Sequence, residues 1–199
     1  MNSILNDLGI YGIHKRVENT ILSSLLLGDP ALLIGPPGTA KTEILECLGM
    51  ALREFSKREE NDPNKWFDIR LYDSSKLEWE EIVGFQDIKA MMERGEVKFL
   101  KTGISIWDVQ MVVFDEINRC TPARQGNLLE VIRSRRLYGN PTGVKFVFGA
   151  MNPFGDAGTE GMSSALADRF NFYVPFDKFS SMEDSDREKV ISRVGEKEA

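Results

Sequence analysis

The twelve residues from Ala31 to Thr42, ALLIGPPGTAKT, constrain this chain more than any other stretch. Ala31 to Ile34 are apolar and read as a buried strand, whereas Gly35 to Ala40 are small or ring-closed. After Lys41 and Thr42, apolar residues at Ile44, Leu45, Leu48 and Leu52 recur at the spacing of a helix packed on a sheet. Strand, tight turn and helix in that order make a cradle for phosphate. The strand anchors the loop, small residues let backbone N–H groups face the anion, and the helix N-terminus adds partial positive charge. Gly35, Pro36, Pro37, Gly38, Thr39 and Ala40 are therefore read as the cradle of a nucleoside triphosphate. Lys41 is read as the cation on its β- and γ-phosphates, and Thr42 as a hydroxyl ligand of Mg²⁺. Ala40 stands where the motif usually has its last glycine, which asks for a loop conformation open to non-glycine residues.

A second segment, MVVFDE from Met111 to Glu116, is an apolar run ending in two carboxylates. A buried parallel strand delivers acids at its carboxyl end in this way. Asp115 can hold the hydration shell of the metal, and Glu116 can polarise an attacking water. Taken alone, the run also suits an ordinary core strand followed by an acidic turn.

A third apolar strand, Lys145 to Met151, ends at Asn152-Pro153, and a short helical pattern from Ser164 leads to Asp168-Arg169-Phe170 before the strand-like Phe172 to Pro175. Together with Asp115-Glu116-Ile117-Asn118-Arg119, and with Gly158-Thr159 between, this order resembles the AAA+ ATPases of the MoxR group. The resemblance runs from about Tyr11 to Val194. It implies a three-layer αβα P-loop NTPase core with a mostly parallel five-stranded sheet. It implies ATP and Mg²⁺ as cofactors, Asn152 as a sensor orienting the lytic water, and Arg169 as an arginine finger reaching a neighbouring subunit's nucleotide. From the residues alone, Asn152 also suits a turn start and Arg169 a helix C-terminal cation. The resemblance further implies that Tyr11, Gly12 and Ile13 form the linker that holds adenine, although Tyr11 and Ile13 also suit plain core positions.

Between the first helix and the acidic strand, Phe67 to Tyr72 reads as a strand and Ser75 to Ile82 as a helix capped by Ser74 or Ser75. The stretches Gly84 to Ile88 and Val97 to Leu100 flank a polar turn near Gly95, so a hairpin insert is expected between Gly84 and Leu100. The resemblance places such an insert at a ring's central opening, and a surface hairpin without function fits the residues equally. Lys57 to Lys65 reads as a charged connector.

Residues 1–176 are read as the ATPase core, and 177–199, with a weak helical pattern from Arg187 to Val194, as the start of a truncated helical lid or a polar tail. The function implied by the resemblance is ATP hydrolysis that remodels, assembles or activates a protein client, from a hexameric ring, beside a von Willebrand factor A partner. An AAA+ motor subunit acting on DNA and a slow nucleotide-gated binding module stand as alternatives. The net charge of −6 argues against broad nucleic-acid affinity, although Arg133, Arg135 and Arg136 form a local cluster at a helix end. Cys47 and Cys120 lack metal-like spacing and read as reduced thiols. His14, the only histidine, has no companion ligands near it. No apolar run has membrane-spanning length and no leader pattern is present, which points to a cytoplasmic enzyme.

Overall fold

The computed structural model describes residues 3–76, 78–153, 162–178, 182 and 184–189. In chain order the helices are α1 (Ile4–Asp7), α2 (Lys15–Leu27), α3 (Lys41–Glu59), α4 (Trp79–Val83), α5 (Ile88–Arg94), α6 (Pro122–Ser134) and α7 (Ser164–Ala167). The strands are β1 (Ala31–Ile34), β2 (Ile69–Asp73), β3 (Phe85–Gln86), β4 (Phe99–Leu100), β5 (Met111–Asp115), β6 (Arg136–Leu137), β7 (Asn140–Pro141), β8 (Phe146–Met151) and β9 (Phe172–Pro175).

Five strands form one sheet in the order β2-β5-β8-β1-β9, and every pairing in it is parallel. The inner strands carry near-continuous apolar runs because both faces are covered. Alternate residues serve opposite layers. Leu32, Val112, Phe114, Val147 and Met151 pack with Leu128, Val131 and Ile132 of α6. Ala31, Leu33, Val113, Phe148 and Ala150 pack with Ile21 of α2 and Ile44, Leu45 and Leu48 of α3. This is the three-layer αβα arrangement that the motif order implies.

Local readings shift where side chains redirect the backbone. β2 begins at Ile69, not Phe67, because the Phe67 and Asp68 N–H groups donate to Ser56 Oγ and Gln110 Oε1. Neither Ser74 nor Ser75 caps α4. The Ser74 N–H donates to the Asp115 carbonyl at 2.9 Å, Ser75 donates to Asp73 Oδ1, and the helix starts only after Glu78. α3 continues to Glu59, so the expected connector from Lys57 opens as helix.

The insert is present, but it is not a plain hairpin. Phe85 pairs with Leu100 and Gln86 with Phe99, and α5 fills the space between them. Asp87 caps α5 by accepting from the Ala90 N–H at 2.9 Å, and Gly95 ends it at φ 65°. The hairpin closes tightly at Gly84, where an added Cβ would lie 2.2 Å from the Leu100 carbonyl oxygen, so only glycine fits. Gly158-Thr159 and residues 190–194 of the expected last helix fall outside the described residues, and 184–189 are helical.

Candidate functional site

Three parallel strands, β1, β5 and β8, bring their carboxyl ends together, and the segments leaving them meet there. The Gly35 N–H donates to the Met151 carbonyl at 3.2 Å, which fixes the start of the loop beside the end of β8. A Cβ on Gly35 would lie 2.6 Å from Phe176 Cβ, so this position has no room for a side chain. Gly38 turns the chain at φ 77°. Ala40 departs from the expected conformation: it occupies the left-handed region at φ 58°, ψ 18°, where an alanine costs about 1–2 kcal/mol. No side chain caps α3 at this residue. The N-terminus of this 19-residue helix follows the loop directly and carries the partial positive charge that favours an anion.

Lys41 is buried, and its ammonium bridges the loop to β8. Nζ donates to the carbonyls of Gly35 at 2.7 Å and Pro36 at 2.8 Å, and reaches Thr39 Oγ1 and Asn152 Oδ1 at 3.4 Å each. Thr39 in turn donates to the Pro36 carbonyl at 2.8 Å. Thr42 Oγ1 donates to Asp115 Oδ2 at 2.7 Å, so the hydroxyl and the carboxylate assigned to one metal lie side by side. Both are hard oxygen donors. Among the described residues no cluster of three or more His, Cys, Asp or Glu could cage a metal. One hydroxyl and one carboxylate suit Mg²⁺, which keeps waters and phosphate oxygens as its remaining ligands.

Asp115 Oδ1 accepts from the Glu116 N–H at 2.8 Å. Glu116 itself takes a left-handed conformation at φ 49°, and its Oε2 pairs with Arg119 at 3.4 Å. A non-glycine residue held in this region turns its side chain away from the course of the strand. Asn118, almost fully buried, donates to the Asn152 carbonyl at 3.4 Å and so ties the acidic turn to the end of β8. Sequence reasoning gave Asn118 no role, and its only signal was its place in the Asp115 to Arg119 run. Alongside, β2 places Asp73 in register with Asp115. The Ser75 hydroxyl holds the Asp73 carboxyl below the usual carboxylate range. Burial pushes the Cys120 thiol up, in keeping with a neutral, reduced side chain.

The linker lies against the same loop. Gly12 and Ile13 line a recess of about 290 Å³ with Val17, Thr39, Phe176 and Met182. A Cβ on Gly12 would meet Met182 Sδ at 2.8 Å, so the linker backbone approaches the far wall closely. Tyr11 does not line this recess, and the Lys189 ammonium sits 6.0 Å from the centre of its ring. His14 caps α2, its Nδ1 accepting from the Arg16 N–H.

Arg169 lies elsewhere. It follows α7 by two residues and precedes β9, whose Phe172 pairs with Ala31 at the amino end of β1. It is thus at the edge of the sheet opposite the loop that holds Lys41, and it borders a separate recess with Gly28 and Pro30. Its Nε is buried and has no hydrogen-bond partner among the described residues.

Residues 30–170 match the family model described as AAA domain (dynein-related subfamily). Among solved structures, a candidate ATPase from Cytophaga hutchinsonii superposes with TM-score 0.67 at 22% identity, covering 96% of this chain and 54% of that one. A point mutant of RuvB from Thermotoga maritima gives TM-score 0.59 at 17% identity, covering 92% and 51%. NtrX from Brucella abortus in complex with ATP gives 0.59 at 12% identity, covering 93% and 39%. The chain therefore spans about half the length of the first two proteins and less of the third. At these identities the likeness establishes the fold. Among the described residues, no helix is long and apolar enough to cross a membrane.

Proposed function

The chain belongs to the AAA domain family, dynein-related subfamily, and from that premise we propose that it hydrolyses ATP and uses the cycle to remodel a partner protein. The observation that carries this reading is the meeting of Thr42, in the first turn of α3, and Asp115, at the end of β5, beside a buried Lys41. In this reading the loop amides from Gly38 to Thr42 would hold the triphosphate, Lys41 would exchange its carbonyl partners for phosphate oxygens, and Thr42 with Asp115 would hold Mg²⁺. When bound, the ion supplies Lewis-acid neutralisation of charge on the phosphate oxygens. Glu116 accepts the proton of the attacking water, and Asn152 orients that water from the end of β8. Gly12 and Ile13 face the nucleotide base, with Tyr11 outside the recess.

The position of Arg169 supports a ring. From the far edge of the sheet it serves a neighbour's nucleotide and not its own. The assembly proposed is a hexamer of the MoxR type, cytoplasmic, with a core over 1–176, the start of a truncated helical lid or a polar tail over 177–199, and a protein client beside a von Willebrand factor A partner. The net charge of −6 favours a protein client over DNA.

Glu116→Gln tests the reading. An amide still hydrogen-bonds water but cannot take its proton, so ATP affinity should persist while phosphate release falls by a factor of about 100 or more, on the order of the general-base contribution. Unchanged turnover would remove Glu116 from the chemistry, and joint loss of binding and turnover would make it structural.

A further inference from the structure

The recess at the amino edge of the sheet is about 480 Å³ in volume and is lined by four cationic side chains, Arg133, Arg135, Lys145 and Arg169, against the two carboxylates Asp29 and Asp168. These cations are not equivalent. Arg135 is committed to the fold: it ends α6 at φ 57° and donates to the carbonyls of Gly28 at 2.9 Å, Val131 at 3.4 Å, Ile132 and Lys145. Arg133, in the last turn of α6, is exposed. Among the described residues, the side chains of Arg133, Lys145 and Arg169 make no ion pair and no hydrogen bond. A recess that gathers guanidinium groups from α6 and from the α7–β9 turn, unengaged among the described residues, is prepared for an anion from outside the subunit.

We propose that Arg133 is a second trans-acting cation, binding the same phosphate chain as Arg169. The idea rests on the reading of Arg169 given above and adds a residue to it. The ligand chemistry is a phosphate oxygen, which the planar guanidinium fork matches better than the Lys145 ammonium does. α6 gives the arrangement a further consequence. Its first turn follows the Asp115 to Arg119 segment directly, so one helix links a subunit's own carboxylates to the cation it lends its neighbour. Phosphate contacts in a nucleic-acid strand would use the same chemistry, and the experiment separates the two sources.

The test uses assembled protein with orthogonally tagged variants, so that turnover is read on mixed rings. Arg133→Ala or Arg133→Gln should fold normally by circular dichroism, since the side chain is exposed, and should lower kcat roughly ten- to a hundredfold with ATP affinity little changed. Mixing Arg133→Ala with Lys41→Ala should restore turnover, because the Lys41-deficient subunit lends both arginines to an intact loop. Mixing Arg133→Ala with Arg169→Ala should not, because every interface then lacks one arginine. The reverse pattern would place Arg133 in its own subunit's machinery and overturn the proposal. An unchanged kcat would also overturn it, as would loss of salt-dependent DNA binding with phosphate release unaffected. If Arg169→Ala with Lys41→Ala recovers turnover while Arg133→Ala with Lys41→Ala does not, only this inference falls. If the Arg169 and Lys41 mixture itself stays inactive, the reading of Arg169 falls first.

Discussion

Thr42 Oγ1 donates a 2.7 Å hydrogen bond to Asp115 Oδ2, joining residues 73 positions apart. One comes from the first turn of α3 and the other from the last residue of β5. Strand order alone does not bring them so close, because β8 lies between β1 and β5. The loop after β1 must carry α3 across the sheet end to make the contact.

This pair should behave as one unit toward metal. Thr42→Ala and Asp115→Asn should each weaken ATP binding in Mg²⁺ and have little effect with the metal chelated. Their effects should be non-additive, with a coupling of about 1 kcal/mol or more. Calorimetry on both variants and the double variant, with and without Mg²⁺, measures it. Additive losses insensitive to the metal would separate the two residues.

Ala40 predicts a backbone effect distinct from chemistry. At φ 58° a β-branched side chain is strained well beyond alanine, so Ala40→Val should lower stability by roughly 1–3 kcal/mol and disturb the loop. Ala40→Gly should leave thermal stability close to the parent's, because relief of strain offsets the greater entropy of the unfolded glycine. Thermal melts of both variants check this, and a tolerated valine would mean that the loop relaxes to another conformation.

How much of this was legible in advance divides along physical lines. The cradle, the acidic strand and the strand before Asn152 are local patterns, and their order is enough to define the layers of the sheet. What could not be read was decided by partners distant in sequence. Ser74 looks like a helix cap, yet the Asp115 carbonyl takes its N–H, and the helix waits until Trp79. Tyr11 and Ile13 look alike in sequence, but the Lys189 ammonium lies 6.0 Å from the centre of the tyrosine ring while Ile13 lines the recess beside the loop. α5 was readable in principle. Asp87 and Gly95 bracket it as cap residues, but the apolar residues Ile88, Met91 and Met92 face solvent, so no buried stripe marked it as a helix. The alanine at position 40 suggested a conformation open to non-glycine residues, and the backbone instead takes a positive φ there, which alanine seldom adopts.

Arg169 should act across an interface. Arg169→Ala and Lys41→Ala should each be nearly inactive alone, and mixed assemblies should regain measurable turnover, since some interfaces then hold an intact loop and an intact arginine. Inactivity in mixtures shown to exchange subunits would return Arg169 to its own subunit's core.

The measurement closest to the central claim is ATP binding and phosphate release by the parent and by Lys41→Ala. The ammonium now satisfied by the Gly35 and Pro36 carbonyls is the group assigned to the β- and γ-phosphates. Its removal should weaken Mg·ATP binding by about tenfold or more, as loss of a charge-assisted contact does, and should abolish turnover with the fold retained. A Lys41→Ala protein that binds and hydrolyses ATP like the parent would show that the loop is not the phosphate site.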